Sequence, residues 1–200
     1  MTAGRLIALE GGEAAGKSTQ AALLAERLGA VLTREPGGTE LGRAVRALVL
    51  DPVDAPPGAR TEALLLAADR AEHVAEVVRP ALSGGRHVVT DRYVESSLAY
   101  QGFGRGLDLE EVRSVSAFAT GGLTADVVVV LDVPPGSAAG RRDRAPDRLE
   151  AEDGAFHGRV RDGFLALAAA EPDRIVVVDG VGSIEEVAAR VWAVVEPRLA

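Results

Sequence analysis

Cysteine is absent from the 200 residues, which excludes a disulfide framework, a thiolate nucleophile and a cysteine-based zinc site, and makes an intracellular setting the expectation. Asparagine is absent too, so the Asn-Lys-x-Asp motif with which GTPase switches read their base cannot be formed. Basic charge is scarce: 22 Lys and Arg against 30 Asp and Glu leave a formal net charge of −8, which argues against nucleic acid or an anionic membrane as the main partner. No apolar stretch is long enough to span a bilayer, and the N-terminus has no basic-then-apolar signal segment, so a cytoplasmic location is expected. The length suits one domain over residues 1–200, and the turn-rich Asp51–Gly58 is too short for an interdomain linker.

Lysine occurs once, at Lys17, inside the string GGEAAGKS (Gly11–Ser18), which matches the phosphate-loop pattern GxxxxGK[ST]. A turn of backbone N–H groups at a helix N-terminus cradles phosphate oxygens, and a compact ammonium on a flexible stem reaches the β- and γ-phosphates. Arginine carries every other fixed positive charge, so this one site requires what arginine cannot supply. Gly11, Gly12, Glu13, Ala14, Ala15, Gly16, Lys17, Ser18 and Thr19 are the candidate ATP contacts, with Lys17 read as a solvent-facing loop residue and the Ser18 hydroxyl offered to Mg²⁺.

Short β-branched runs recur at Leu6–Leu9, Val31–Leu32, His87–Thr90, Val127–Val133 and Ile175–Val178. Between them lie helical patterns at Ser18–Leu28, Leu41–Leu50, Thr61–Leu82, Leu109–Ala119, Pro135–Arg142, Gly154–Ala170 and Ile184–Leu199. This alternation predicts an α/β fold, a five-stranded parallel sheet with helices on both faces, whose ligands sit beyond the carboxyl ends of the strands. The charged stretch 141–153 has no apolar stripe but carries Arg141, Arg142, Arg144 and Arg148, and reads as a short mobile lid that closes on phosphate.

Phosphoryl transfer needs positioning and charge neutralisation, hence a second set of cations for an acceptor. Asp91 and Arg92 end a predicted strand, which suits Asp91 to the magnesium shell through water and Arg92 to an acceptor phosphate. Arg70 lies on a helix whose apolar face is read through Leu64, Leu65 and Ala68, and taken alone Arg70 and Arg46 are solvated residues.

The segments EGGEAAGKST, TREPGGTELG, TEALLLAADRAEH, DRYVESSLAYQGFGRG and DRLE follow in the order and at about the spacing of bacterial thymidylate kinases, which the chain resembles from Leu6 to about Gly180. The resemblance implies a P-loop nucleoside monophosphate kinase that is homodimeric, with ATP as donor, dTMP as acceptor and Mg²⁺ as cofactor. It puts Glu13 at the sugar 3′-hydroxyl and Glu35 near the acceptor. Arg46, Arg70 and Arg92 surround the phosphate and base, Ser97 and Gln101 meet the polar edge of thymine, and Tyr100 lies under the deoxyribose. The loop insert Glu13-Ala14-Ala15 has no arginine, resembling the branch whose transition-state cation comes from the lid, with Arg144 preferred to Arg142. Where many relatives stack a phenylalanine on thymine, this chain has Leu66. Rival readings are another small P-loop kinase, for guanylate, shikimate or dephospho-coenzyme A, and a nucleotide-dependent switch or partitioning protein.

Overall fold

The computed structural model describes residues 4–52, 54–134 and 146–199. Five strands, β1 (Leu6–Gly11), β2 (Val31–Arg34), β3 (Val88–Asp91), β4 (Val127–Asp132) and β5 (Ile175–Asp179), form one parallel sheet in the order β2-β3-β1-β4-β5. Every residue of β1 is buried, and its side chains alternate between the two faces. Leu6 and Ala8 join one core with Val88, Val128 and Val130, while Ile7 and Leu9 join another with Val89, Val127, Val129 and Leu131. Burial on both faces is what lets the strands read as continuous apolar runs.

Helices α1 (Lys17–Leu28) and α8 (Ile184–Val195) cover the Ile7 face through Ala21, Leu24 and Ala25 and through Val187, Val191 and Val195. The Leu6 face is covered by α2 (Glu40–Leu50), α6 (Leu109–Thr120), α7 (Gly154–Ala170) and the residues between β2 and α6.

The helical pattern expected over residues 61–82 runs as α3 (Ala59–His73), a widened turn (Val74–Val78) and α4 (Arg79–Ser83). Pro80 gives no backbone N–H and would crowd the carbonyl four residues back, and the widened turn just before it relieves that conflict. A helical stretch absent from the sequence reading follows β3, as α5 (Val94–Ser97) and a second widened turn (Leu98–Gly104). The helix expected at 135–142 lies outside the described residues.

Candidate active site

The loop Gly11–Ser18 leaves the central strand and enters α1. Gly11 has φ +133°, and a Cβ there would lie 2.4 Å from the Leu131 carbonyl oxygen, so a side chain is excluded on two counts. Gly16, at φ +91°, turns the backbone into the N-terminus of α1, where the first N–H groups lack intrahelical partners. Lys17 is buried, 7% exposed, correcting the reading of a solvent-facing residue, and Nζ donates to the Gly12 carbonyl at 2.6 Å. Burial, then the neighbouring Arg92 charge, pushes this ammonium below its ordinary pKa against the opposing pull of Glu13, Asp91 and Glu10.

β1 and β3 pair with Leu9 beside Asp91, which brings the end of β3 to the loop. The Ser18 hydroxyl donates to Asp91 Oδ2, and the buried Asp91 Oδ1 has no partner among the described residues. Arg92 sits at φ +74°, a left-handed conformation that a non-glycine residue adopts at a cost and that recurs at functional sites. Its guanidinium donates to Ser96 Oγ at 3.0 Å, to Glu13 Oε1 at 2.8 Å, to the Tyr100 hydroxyl at 3.2 Å and to the Gly11 carbonyl at 3.3 Å. Tyr100 in turn donates to Glu13 Oε1 at 2.6 Å, and Arg92 lies 4.9 Å over its ring. Burial acts to raise the Glu13 pKa, but the charges of Arg92 and Lys17 and the Tyr100 hydrogen bond overcome it and hold the carboxyl at about 2.

Glu10, the last charged residue of β1, is fully buried and accepts from Tyr93 N at 2.8 Å, Ser96 N at 3.1 Å and Ser96 Oγ at 2.6 Å. It therefore clamps the start of α5, with Arg92 just before it. Burial, reinforced by Glu95, raises its pKa to about 7. The folded state then holds a proton that the unfolded chain has lost between pH 4.5 and about 7, so this group's stabilising contribution declines as pH rises through that window. At about 1.4 kcal/mol per pH unit, wild type should lose up to ~3 kcal/mol relative to Glu10→Gln between pH 5 and 8, read by urea unfolding. A pH-independent difference between the two would refute the assignment.

The opposite wall is α3, whose inward face differs from the one expected: of Leu64, Leu65 and Ala68 only Leu65 packs against the core. Leu64 is 58% exposed and Ala68 is exposed, whereas Glu62, Ala67, Asp69, Arg70 and His73 are buried. Glu62, Arg70 and His73 are paired with opposite charges or hydrogen-bonded, whereas Asp69 is held by a backbone N–H through Oδ1 alone and its Oδ2 has no partner among the described residues. Arg70 Nε donates to Glu35 Oε2 at 2.7 Å, and Nη2 to the Tyr93 carbonyl at 3.0 Å and to Ser97 Oγ at 3.1 Å. Glu35 Oε1 lies 2.8 Å from His73 Nδ1. Asp69 Oδ1 accepts from Gly37 N at 2.9 Å, and Arg46 Nη1 donates to the Pro36 carbonyl at 3.1 Å, so both hold the loop after β2. Burial raises the Asp69 pKa to about 6, the Gly37 hydrogen bond opposing it.

Glu13, Glu35, Arg46, Leu66, Arg70, Arg92, Ser97, Tyr100 and Gln101 all line a single cleft of about 1000 Å³, together with Ala14 to Thr19 of the loop and Asp91. Gly11 and Gly12 shape the loop without lining the cleft. Arg141, Arg142 and Arg144 lie outside the described residues, as does the start of the expected lid. Arg148 is no free lid cation: it donates to the Val49 carbonyl at 2.7 Å and to the buried Glu62. The sequence reading missed Glu10, Glu62, Asp69 and Ser96. A signal for three of them was present: a charge ending a buried strand, and Glu62, Asp69, Arg70 and His73 recurring at helical spacing. It also missed a stretch of wall formed by Gly180, Gly182, Ser183, Ile184 and Val187.

A parallel sheet with this strand order, a phosphate loop between its central strand and α1, and a cation-lined cleft at the strands' carboxyl ends constitute the P-loop NTPase fold. The family model described as thymidylate kinase matches residues 9–191, and the chain belongs to the thymidylate kinase family. It is 56% identical to a thymidylate kinase of Synechococcus sp. (strain JA-2-3B'a(2-13)), over 96% of this chain and 95% of that one. It is 51% identical to the thymidylate kinase of Deinococcus radiodurans, over 99% of each. The crystal structure of thymidylate kinase from Ehrlichia chaffeensis superposes with a TM-score of 0.81 at 31% identity, covering 97% of this chain and all of that one.

Proposed function

We propose that the chain is a dTMP kinase, one catalytic domain over residues 1–200, which moves the γ-phosphoryl of ATP to dTMP to give ADP and dTDP. The observation that carries the reading is the meeting of three buried or part-buried cations in one cleft: Lys17 in the phosphate loop, Arg92 at the end of β3 beside that loop, and Arg70 on the facing wall. An acceptor phosphate oxygen attacks the γ-phosphorus as the bond to the β–γ bridging oxygen breaks. The protein's part is to align the two and neutralise charge.

On the donor side, Gly11 to Thr19 and Arg141 bind ATP, with Lys17 on the β- and γ-phosphates. Ser18 and Asp91 would hold Mg²⁺, which would neutralise charge on the phosphate oxygens. The donor set fits: the Ser18 hydroxyl and the Asp91 carboxylate, whose buried Oδ1 has no partner among the described residues, are hard oxygen ligands of the kind magnesium takes. Arg144, or else Arg142, meets the transition-state charge. On the acceptor side, Arg92 and Arg46 take the phosphate, Glu13 the 3′-hydroxyl, Tyr100 the deoxyribose, and Arg70, Ser97 and Gln101 the base, with Glu35 fixing Arg70.

The remaining expectations follow from surface and charge. Leu41, Leu48, Leu64 and Phe118 are exposed on α2, α3 and α6, which supports a homodimer across these helices. A net charge of −8 supports small-molecule partners over nucleic acid, and no described helix is long and apolar enough to cross a membrane, in keeping with a cytoplasmic enzyme.

A coupled ADP-release assay across nucleoside monophosphates tests the reading. dTMP should be preferred over dUMP, and both over ribonucleotides and purine nucleotides. The methyl adds only about 0.8 kcal/mol, so the first preference is modest. Turnover of GMP or AMP as efficient as that of dTMP would overturn the acceptor assignment, and ATP hydrolysis indifferent to acceptor would favour a switch protein. Leu66→Phe should tighten dTMP binding several-fold, since an aromatic pair adds about 0.5–1.5 kcal/mol beyond burial. Unchanged affinity in isothermal titration would assign Leu66 to packing of α3 alone.

A further inference from the structure

Glu62 has no exposed surface, yet it accepts from three residues at once. Gln101 Nε2 donates to Oε1 at 2.9 Å, Arg105 donates from Nε at 3.3 Å and from Nη2 at 3.2 Å, and Arg148 Nη2 donates to Oε2. A carboxylate offers about four acceptor positions and no donor, so Glu62 is saturated and admits Gln101 in one orientation only. The amide nitrogen must face Glu62 and the amide oxygen must face away. That oxygen is buried and has no partner among the described residues, although Gln101 lines the cleft. One turn earlier, Ser97 also lines the cleft, and its Oγ accepts from Arg70 Nη2 at 3.1 Å, which leaves its own O–H to be given. The wall thus offers an acceptor beside a donor.

A 2,4-dioxopyrimidine presents the complement, a ring N3–H beside a carbonyl oxygen. Cytosine presents the reverse, a bare N3 beside an amino group, and would set N3 against the Gln101 oxygen with no proton between them. We infer that Glu62 is a specificity-determining positioning residue, which fixes the polarity of the Gln101 amide so that the cleft takes N3–H pyrimidines and rejects cytosine. The inference rests on the reading that Ser97 and Gln101 meet the base edge.

The substrates that isolate it are dUMP and dCMP, which differ only along that edge. Wild type should favour dUMP in kcat/KM, and in Glu62→Gln, whose amide can give a proton to the Gln101 oxygen and let it turn, the ratio should fall by at least ~10-fold. A purely structural loss lowers both substrates alike; an unchanged ratio would overturn the inference. Equal use of dUMP and dCMP by wild type overturns it while leaving the kinase reading intact, and failure to phosphorylate dTMP or dUMP at all overturns both.

A second measurement does not depend on Glu62→Gln folding. The chain has two glutamines, Gln20 and Gln101, so ¹⁵N-glutamine labelling of the intact protein gives two side-chain amide signals, assigned by the loss of one in Gln101→Leu. The Gln101 amide protons should be protected from solvent exchange both without and with dTMP. Rapid exchange in either state would show that Glu62 does not hold the amide.

Discussion

Lys17→Ala is expected to lower kcat by at least a factor on the order of 10²–10³, with no loss of melting temperature. Removing one preorganised charge-stabilising group from a transition state typically has that effect on rate. The stability half follows from burial: Lys17 is 7% exposed, its pKa is depressed, and its one hydrogen bond among the described residues is to the Gly12 carbonyl. Deleting an uncomfortable buried cation leaves the fold unchanged or slightly firmer. Because Lys17 is the only side-chain amine, ATP should also shield it selectively from amine-reactive label, as read by peptide mass spectrometry. Near-normal turnover in the variant would remove the phosphate-loop assignment.

Arg92→Ala should raise KM for dTMP and lower kcat, the combined loss in kcat/KM exceeding ~100-fold, while ATP affinity changes far less. Arg92 carries four hydrogen bonds, to Gly11, Ser96, Glu13 and Tyr100, and is the foremost charge opposing the rise that burial imposes on Glu13. Without it Glu13 keeps Lys17 as its one nearby cation among the described residues, and leaving a largely buried carboxylate less fully compensated should also lower stability. Arg92→Lys keeps the charge and loses the planar fork, so it should recover part of the acceptor use and little of the network. Separate titrations with dTMP and with ATP decide the matter, since a loss confined to ATP would mean that donor and acceptor sides are exchanged.

The strands are legible from residues 6–9, 88–90 and 127–132 because a parallel sheet covered on both faces needs apolar residues without alternation. The phosphate loop is legible for a different reason: backbone geometry dictates its glycines, so its chemistry is local in sequence. The helical stretch from Val94 to Gly104 is not legible, since its inward residues are Glu95, Ser97, Tyr100 and Gln101 as much as Leu98 and Ala99, and no apolar stripe marks it. For α3 the obstacle is the assumption that leucine faces inward. Leu64 faces out and Arg70 in, because the partners that make a buried arginine tolerable, Glu35 and Ser97, come from the loop after β2 and from α5 and are 35 and 27 residues away. Glu62 belongs to the same class, its ties reaching 39 to Gln101 and 86 to Arg148.

The central place of β1 governs how the chain must assemble during synthesis. β1 is translated before both of its neighbours: Ile7 pairs with Val89 on one side and with Val127 on the other. At 5–20 residues per second, the second neighbour follows about 6–24 s after the first strand is made. Through that interval LIALEG is an apolar strand whose two hydrogen-bonding edges cannot both be covered, and pairings of such long reach form slowly. A nascent chain ending anywhere before Val127 therefore presents an open edge, and such chains should engage chaperones and aggregate more readily than chains released after β4 has joined.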